Sequence, residues 1–274
     1  MKKLSKKDRI ILAVAGVALA IALCCQGWYY WPWFGGKAVR FNSKLNVIIS
    51  FDTIATDIPP EDLIIKNDTD LSCHDICRYF HDIALNSEFG LSSHKISKWE
   101  DPLLLYIGGN PSADDLAIIA EICEGLNNVP GFPGVTRVDD ETSANVIYTF
   151  MDPTQYDHWE RTLGIRGSLG LACVKVDEPG TRIIHVDIGI KNTDDRYSEG
   201  IFSKTTTIWE EFLQGTGLTN DTMLYSETLF YNGNYDVPKA TNFDWIVLRI
   251  LYLPQIQNGM TYFNCLPYIF TYLR

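Results

Sequence analysis

Apolar and polar positions along the chain follow two periods, and each period predicts one kind of secondary structure. Stretches with apolar residues three and four positions apart predict helices at 68–90, 110–129, 203–217 and 241–254. Runs rich in β-branched and aromatic residues predict strands at 45–55, 95–109 and 143–152, and a hairpin at 167–191. This order of elements predicts an α+β domain with a mostly single sheet and helices packed against it.

Two of the predicted helices carry capping signals at their N-terminus. Ser112 with Asp115, and Thr241 with Asp244, have the spacing of capping boxes, in which side chains bind backbone N–H groups of the first turn. In the helix after Ser112, the expected inward stripe consists of Leu116, Ile119, Ala120, Cys123 and Leu126. These local signals predict where both helices begin and which side faces the core.

The second arm of the predicted hairpin separates apolar from polar side chains. Its apolar face consists of Ile184, Val186, Ile188 and Ile190. His185 and Asp187 therefore point to the opposite face. His185 is the one histidine expected to be able to face the helix at 203–217, because it lies on the strand that precedes it. The other histidines lack a neighbouring serine or cysteine in a nucleophile motif: His74, His81, His94 and His158.

The first 34 residues have the pattern of a membrane anchor. Five basic residues and one acidic residue give positions 1–9 a net charge of +4, positions 10–25 are apolar, and aromatic residues follow. Basic residues stay on the cytoplasmic side, and aromatic rings lie at the opposite interface. The sequence predicts a signal anchor at 1–34 that crosses the cytoplasmic membrane once through 10–34. A linker at 35–69 and an extracytoplasmic domain at 70–274 follow.

Two alternatives would change the state of this anchor. A cleaved signal peptide would have a similar apolar length, although no A-x-A-like cleavage site is present. A lipoprotein would be modified at Cys24 or Cys25, although Leu23 is not the small residue that this modification requires. We favour the uncleaved anchor, and all three interpretations place the rest of the chain outside the cytoplasm.

The net charge of the chain disfavours some classes of binding partner. The formal net charge is −11, so the part beyond the basic N-terminus carries about −15 (−11 − 4). A surface of this sign disfavours nucleic acid and anionic lipid headgroups as partners. An envelope protein or peptide is the remaining expectation.

The cysteines beyond the anchor give a weak metal signal. They are Cys73, Cys77, Cys123, Cys173 and Cys265. Cys73 and Cys77 are four positions apart in a helical pattern, and no second pair follows as a zinc site requires. We expect both to be small buried helix residues that are not bonded to each other, because i, i+4 spacing does not supply disulfide geometry.

The strongest chemical signal is EEFLQGTGLTND at 210–221, which has the spacing of the zinc-protease pattern H-E-x-x-H-x-x-G-x-x-H. The ligand positions are held by Glu210, Gln214 and Asn220, the general base by Glu211 and the turning glycine by Gly217. Zinc prefers nitrogen and sulfur ligands, so these oxygen ligands predict that no zinc is bound. They would suit a hard cation better, but Ca²⁺ requires more oxygen ligands than these three supply, and we expect no metal and no other cofactor. A helix that has acidic residues on its solvent-exposed face, and no binding or catalytic site, would have the same sequence.

Several segments together resemble a known family. Those at 75–90, 96–109, 144–150, 210–221 and 241–260 occur in the order seen in a bacterial family of domains of unknown function, usually secreted or membrane-attached. The family signature E-E-x-x-Q-x-x-G-L-x-N-D matches Glu210, Glu211, Gln214, Gly217, Leu218, Asn220 and Asp221. A C-terminal pattern, L-Y-x-P-x-x-x-x-G-M, matches Leu251, Tyr252, Pro254, Gly259 and Met260.

This family in turn resembles metzincin-type proteases whose zinc ligands have been replaced. The segment YSETLFYNG at 225–233 stands where such proteases have a Met-turn, but it contains no methionine. The resemblance implies a metzincin-like single mixed sheet with packed helices. It also makes Glu211 the candidate catalytic residue and Glu210, Gln214, Asn220 and Asp221 the candidate binding residues.

Three functions agree with the sequence. The first is a non-zinc pseudo-protease that acts by binding or assembly at the cell envelope. The second is a hydrolase that uses Glu211 as a general base, with Glu210, Gln214 and Asn220 orienting a water or a hard cation. The third is a structural envelope domain whose polar residues only cap and pack.

Overall fold

The computed structural model describes residues 71–88, 93–178, 181–193, 203–233 and 237–274. The predicted signal anchor, the linker and the strand at 45–55 lie outside these residues. Within the described ranges, no helix is long and apolar enough to cross a membrane. The anchor therefore stays a prediction.

The chain divides into two compact units, and of the described residues 71–78 belong to the first. They contain the start of helix α1 (Cys73–Leu85), where Ser72 Oγ accepts a hydrogen bond from Asp75 N at 3.1 Å. Cys73 and Cys77 lie one turn apart on this helix and are free thiols, as predicted, but only Cys77 is buried, whereas Cys73 is half-buried.

The second unit holds the remaining elements. Its strands are β1 (Leu103–Gly109), β2 (Val135–Arg137), β3 (Val146–Met151), β4 (Gly170–Val176) and β5 (Ile183–Lys191). Its further helices are α2 (Ala113–Asn127), α3 (Pro153–Thr162), α4 (Lys204–Gln214), α5 (Asn242–Leu251) and α6 (Tyr262–Tyr272), with a short 3₁₀ helix at Glu141–Ser143.

The described strands form one five-stranded mixed sheet in the order β2-β1-β3-β5-β4. All neighbouring strands are parallel except β4 and β5, which form the predicted antiparallel hairpin. β4 is the last strand at its end of this sheet. The predicted α+β fold with one mixed sheet and packed helices is therefore confirmed.

The two faces of the sheet carry different helices. Val186 and Ile188 of β5 lie against Gly215, the residue after α4. The neighbouring position, Gly189, faces the other way, and a Cβ there would stand 2.4 Å from the ring of Trp159 on α3. Because side chains alternate along a strand, α4 covers one face and α3 covers the other.

Both predicted capping boxes are present, at the start of α2 and of α5. The inward stripe predicted for α2 is right only in part. Ile119 and Leu126 are buried, but Ala120 is exposed and Ile122 is buried instead. The strand predicted across Pro102 begins only at Leu103, after the residue that cannot donate a backbone hydrogen bond.

The pattern did not predict α3, α6 or the short strand β2. α3 buries only Tyr156 and Glu160, so it has no apolar stripe to detect. α6 contains Pro267, which normally argues against a helix interior. Its backbone is nevertheless helical on both sides of the proline, and the Thr271 hydroxyl donates to the Pro267 carbonyl at 2.8 Å.

Candidate functional site

The segment EEFLQGTGLTND lies at the C-terminal end of α4 and in the loop that follows. Ser203 caps the start of this helix by accepting from Thr206 N at 3.1 Å. At its other end, the ring nitrogen of Trp99 donates to the Gly215 carbonyl at 2.8 Å, and the Tyr252 hydroxyl donates to Thr216 at 2.8 Å. Buried aromatic side chains therefore fix the end of the helix that carries the candidate residues.

Gly217 turns the chain, as the overlay with the protease pattern predicted. Its φ of 115° lies in the region that favours glycine, and a Cβ there would stand 2.4 Å from the Ser97 carbonyl oxygen. The turn sends the loop at 218–221 back along α4. As a result, Asp221 meets the helix that the chain has just left.

Three of the predicted binding residues come together after this turn. Glu210 and Gln214 share one face of α4, as residues four apart must. The Gln214 side-chain amide donates to Asp221 Oδ1 at 3.0 Å, and the carboxyl groups of Glu210 and Asp221 are hydrogen-bonded to each other. Glu210 and Gln214, which hold the positions of the first two protease ligands, are thus both hydrogen-bonded to Asp221.

Asn220 has a different part in the loop. Its side-chain amide donates to the Asp82 carbonyl on α1 at 3.1 Å and to the Asp221 carbonyl at 2.5 Å. The adjacent Thr222 hydroxyl donates to the Asp82 carboxylate. Asn220 therefore fastens the loop to α1 and positions Asp221.

Glu88, which sequence reasoning missed, joins these residues from the end of α1. Its backbone N–H donates to the Thr219 carbonyl at 3.1 Å, and its side chain is hydrogen-bonded to Gln214. The pairing joins two segments 131 positions apart (219 − 88), so no local pattern could have revealed it. We call Glu88, Glu210, Glu211, Gln214 and Asp221 the carboxylate cluster.

Glu211 enters the cluster beside the end strand of the sheet. Its side chain lies against Gly170 of β4, where a Cβ would stand 2.6 Å from Glu211 Cγ. Its carboxyl group accepts a hydrogen bond from the backbone N–H of Ala172, also on β4. The residue is only 7% exposed, and Oε2 has no hydrogen-bond partner among the described residues.

All four carboxyl groups of the cluster are easier to protonate than free ones. Burial, and then the charge of Asp221, raise the pKa of Glu88 to about 7. Burial raises the pKa of Asp221 to about 6. Burial followed by the neighbouring acidic charges raises the pKa of Glu210 and of Glu211 well above the ordinary range. Carboxyl groups with shifts of this kind concentrate at functional sites.

The histidine that sequence reasoning offered to this site does not reach it. His185 occupies the face of β5 that Gly189 and α3 share, and its Nε2 lies 3.2 Å from Asp187 Oδ1. α4 packs on the opposite face, so the expectation that His185 faces the helix is wrong. Within the described ranges, no three His, Cys, Asp or Glu side chains are arranged so that they could hold a metal ion.

The outer edge of β4 lies next to the cluster. Lys191 N donates to the Leu169 carbonyl at 2.9 Å, so the odd-numbered positions of β4 are the ones that pair with β5. The N–H and C=O groups of Gly170, Ala172 and Val174 point away from β5, and of these the Ala172 N–H is already hydrogen-bonded to the Glu211 carboxyl group. In the described part of the sheet no further strand pairs with that edge.

A cavity of about 300 Å³ lies elsewhere, between α2, α4 and α5. Trp209 and Trp245 line it, together with Glu121 and Glu124 of α2. None of its lining residues belongs to the carboxylate cluster.

Comparison with known sequences gives one match. The family described as "Protein of unknown function (DUF2927)" matches residues 74–270, which include the carboxylate cluster and β4. No curated protein matches the chain.

Proposed function

The chain belongs to the DUF2927 family of proteins of unknown function, and on that premise we propose that it is a membrane-anchored, extracytoplasmic domain that binds an extended polypeptide segment. The segment adds to the outer edge of β4, and no zinc takes part. The observation that carries this proposal is the outer edge of β4, where the N–H groups of Gly170 and Val174 point away from β5 beside a buried, carboxylate-lined site. Strand addition to an exposed sheet edge is a common mode of peptide recognition.

The binding site would be that of a metzincin-like pseudo-protease. Support comes from the single mixed sheet, from the motif at the end of α4 and from the left-handed turn at Gly217. The chemistry of the site is that of an amide and four carboxyl groups, because Gln214 binds Asp221 where a protease would place imidazole. Such a site can hold a partner by hydrogen bonds and charge.

The location at the cell envelope rests on the sequence. The basic, apolar and aromatic order of residues 1–34 supports an anchor in the cytoplasmic membrane. The acidic remainder supports an envelope protein or peptide, and not nucleic acid, as the partner.

Hydrogen exchange on the full chain in detergent micelles tests the proposal. Random heptapeptides selected on the immobilised chain would be resynthesised and added during exchange. We expect slower exchange at the amides of Gly170 and Val174, which point outward, and no change at Leu171, which already pairs with β5.

The matched control is made in the peptide. N-methylation at alternate residues removes the N–H groups that face β4, whereas N-methylation at the intervening residues removes groups that face solvent. One alternating set should abolish binding and the other should preserve it. Equal effects of both sets, or protection only at sites remote from β4, would reject strand addition.

Glu211 keeps a hydrolase as the second candidate. Its unpartnered Oε2 lies beside the strand edge where the carbonyl group of an added peptide would pass. A carboxylate there could take a proton from an attacking water. Mass spectrometry of a bound peptide after long incubation decides between the two. Cleavage by the natural chain that is absent in Glu211→Gln, with binding retained, would establish the hydrolase.

A further inference from the structure

The carboxylate cluster has acidic groups without a cation to balance them. None of the ion pairs formed by the described residues includes Glu88, Glu210, Glu211 or Asp221. Among described residues, the charges that act on these carboxyl groups are those of the other acids. A buried group of this kind is costly unless protons or an external cation balance it.

A second observation points to a ligand at the same place. Oε2 of Glu211 is buried without a hydrogen-bond partner among the described residues, although the side chain is only 7% exposed. Buried carboxyl oxygens in folded proteins nearly always have a partner. A donor brought by a ligand would supply the one that is missing.

The cluster can be reached from solvent. Glu88 is exposed at its rim, and Glu210 and Asp221 are partly exposed, whereas Glu211 lies at its base. Exposure thus falls from Glu88 through Glu210 and Asp221 to Glu211, which is the most buried of the four acids.

The geometry of strand addition directs side chains to this opening. The even-numbered side chains of β4 face α4, because a Cβ on Gly170 would meet Thr207 and Glu211. Neighbouring strands keep their side chains in register, so every second side chain of an added segment also faces α4. A side chain of the added segment opposite Gly170 would therefore lie on the same face as Glu211.

We infer that the carboxylate cluster receives the ammonium or guanidinium group of a lysine or arginine in the segment added to β4. This inference rests on the proposed function and names the chemistry of the partner. Ammonium and guanidinium groups carry several donors and form strong hydrogen bonds with carboxylates. They can therefore satisfy Glu211 and balance the charge of the other acids together.

Binding of the cation releases protons from the cluster. Glu88, Glu210, Glu211 and Asp221 hold protons at higher pH than ordinary carboxyl groups, and a cation favours their ionised form. Other titratable groups around Glu211 stay neutral throughout, because burial raises the pKa of each: Tyr148, Tyr156 and Cys173. Asp82 lies behind the loop, where Thr222 and Asn220 hold it.

The test uses one host peptide, acetyl-Thr-Val-Thr-X-Thr-Val-Thr-amide, and its frame-shifted analogue with X one position earlier. X is lysine, arginine or norleucine, which has the length of lysine without its charge. Titration calorimetry on the full chain in detergent gives the affinity. We expect the lysine and arginine peptides to bind about 10- to 100-fold more tightly than norleucine, as a charge-assisted hydrogen bond would give.

Two further measurements make the result specific. Calorimetry at pH 6.5 in two buffers of different ionisation enthalpy should show proton release with lysine and none with norleucine. The double variant Glu210→Gln/Asp221→Asn should bring the lysine-to-norleucine ratio close to one. Glu141→Gln removes one exposed negative charge outside the cluster and should leave the ratio unchanged.

The outcomes separate the inference from the proposed function. Equal affinity for lysine and norleucine, with amide protection on β4, would overturn the cationic partner and leave strand addition standing. Peptides that give no protection on β4 would reject both. If the double variant does not fold, proton release by the natural chain still decides, because norleucine is its internal control.

Discussion

The side-chain amide of Gln214 donates to Asp221 over 3.0 Å, across the turn that Gly217 makes after α4. In the protease pattern the position of Gln214 binds metal through an imidazole nitrogen. Here the same position uses an N–H group, which binds anions and repels metal ions. The position aligned with a metal-binding imidazole in the protease pattern therefore presents a hydrogen-bond donor to an acidic side chain in this chain.

The raised carboxyl pKa values predict a domain that is less stable at neutral than at mildly acidic pH. Unfolded, these groups titrate at their ordinary values of 4.5 for glutamate and 3.8 for aspartate, whereas the folded pKa is about 7 for Glu88 and about 6 for Asp221. Between these values the folded state holds protons that the unfolded state has lost. The free energy of unfolding should therefore fall as pH rises from about 4.5 to about 7.

Urea unfolding at pH 5 and pH 8 measures this dependence. We expect the free energy of unfolding to be lower at pH 8 by about 1 to 3 kcal/mol, with the more buried acids contributing most, because solvent screens the exposed Glu88. In the variant Glu210→Gln/Asp221→Asn, the difference in the free energy of unfolding between pH 5 and pH 8 should be smaller, because neutral amides replace two of the groups that hold protons. An undiminished difference in that variant would assign the pH dependence to groups outside the cluster.

The packing of α4 on β4 predicts a costly glycine replacement. In Gly170→Ala, the new methyl group would stand 2.4 Å from Thr207 Cγ2 and 2.6 Å from Glu211 Cγ, so helix and strand must separate. The loss in unfolding free energy should be about 1 to 3 kcal/mol, as for other overpacked core positions.

Gly108 of β1 provides the matched control for this substitution. A Cβ there would stand 3.1 Å from the half-buried side chain of Tyr106 and 3.6 Å from Thr149 Oγ1, so its contacts are longer than those at Gly170. Gly108→Ala should therefore cost clearly less than Gly170→Ala in chemical unfolding. Equal costs would show that α4 and β4 are not packed as closely as described.

Elements with local signals were predictable from the sequence, and elements held by distant contacts were not. Ser112 and Thr241 predict the starts of α2 and α5, because each capping box lies within four consecutive residues. Glu88 carries no such signal, because its place in the cluster depends on pairing with Thr219. For His185, alternation correctly separated the two faces of β5, but the sequence does not say which face α4 covers.

The buried tie between α1 and α5 predicts a second stability effect. The Tyr79 hydroxyl donates to Asp244 Oδ1 at 2.5 Å, and Thr241 and Leu229 donate to the other oxygen. Tyr79→Phe removes one donor from a fully buried acidic group and should lower the free energy of unfolding by about 1 to 3 kcal/mol. Tyr106→Phe, at a half-buried position, should change it by less in the same urea titration.

The N-terminal pattern predicts an anchor that is retained. Intact mass measured on chain purified from membranes should match the whole sequence, with the basic residues 2–9 still present. A mature chain beginning near Gln26, or a mass increase of a lipid on Cys24 or Cys25, would contradict retention.

The oxygen and amide groups of the cluster predict protein free of stoichiometric zinc. Zinc prefers nitrogen and sulfur ligands, whereas Gln214 points an N–H group at Asp221, and Glu210 shares a proton with that same carboxyl. Elemental analysis of full chain purified without added metal should find zinc well below one atom per chain.

The variant Gln214→His provides a demanding comparison, because it restores one imidazole of the protease pattern and removes the amide that holds Asp221. It should gain zinc on titration only weakly, since a single imidazole among carboxyl groups is a poor set for zinc. Zinc at one atom per chain in the natural protein, lost in Glu210→Gln, would overturn the metal-free interpretation.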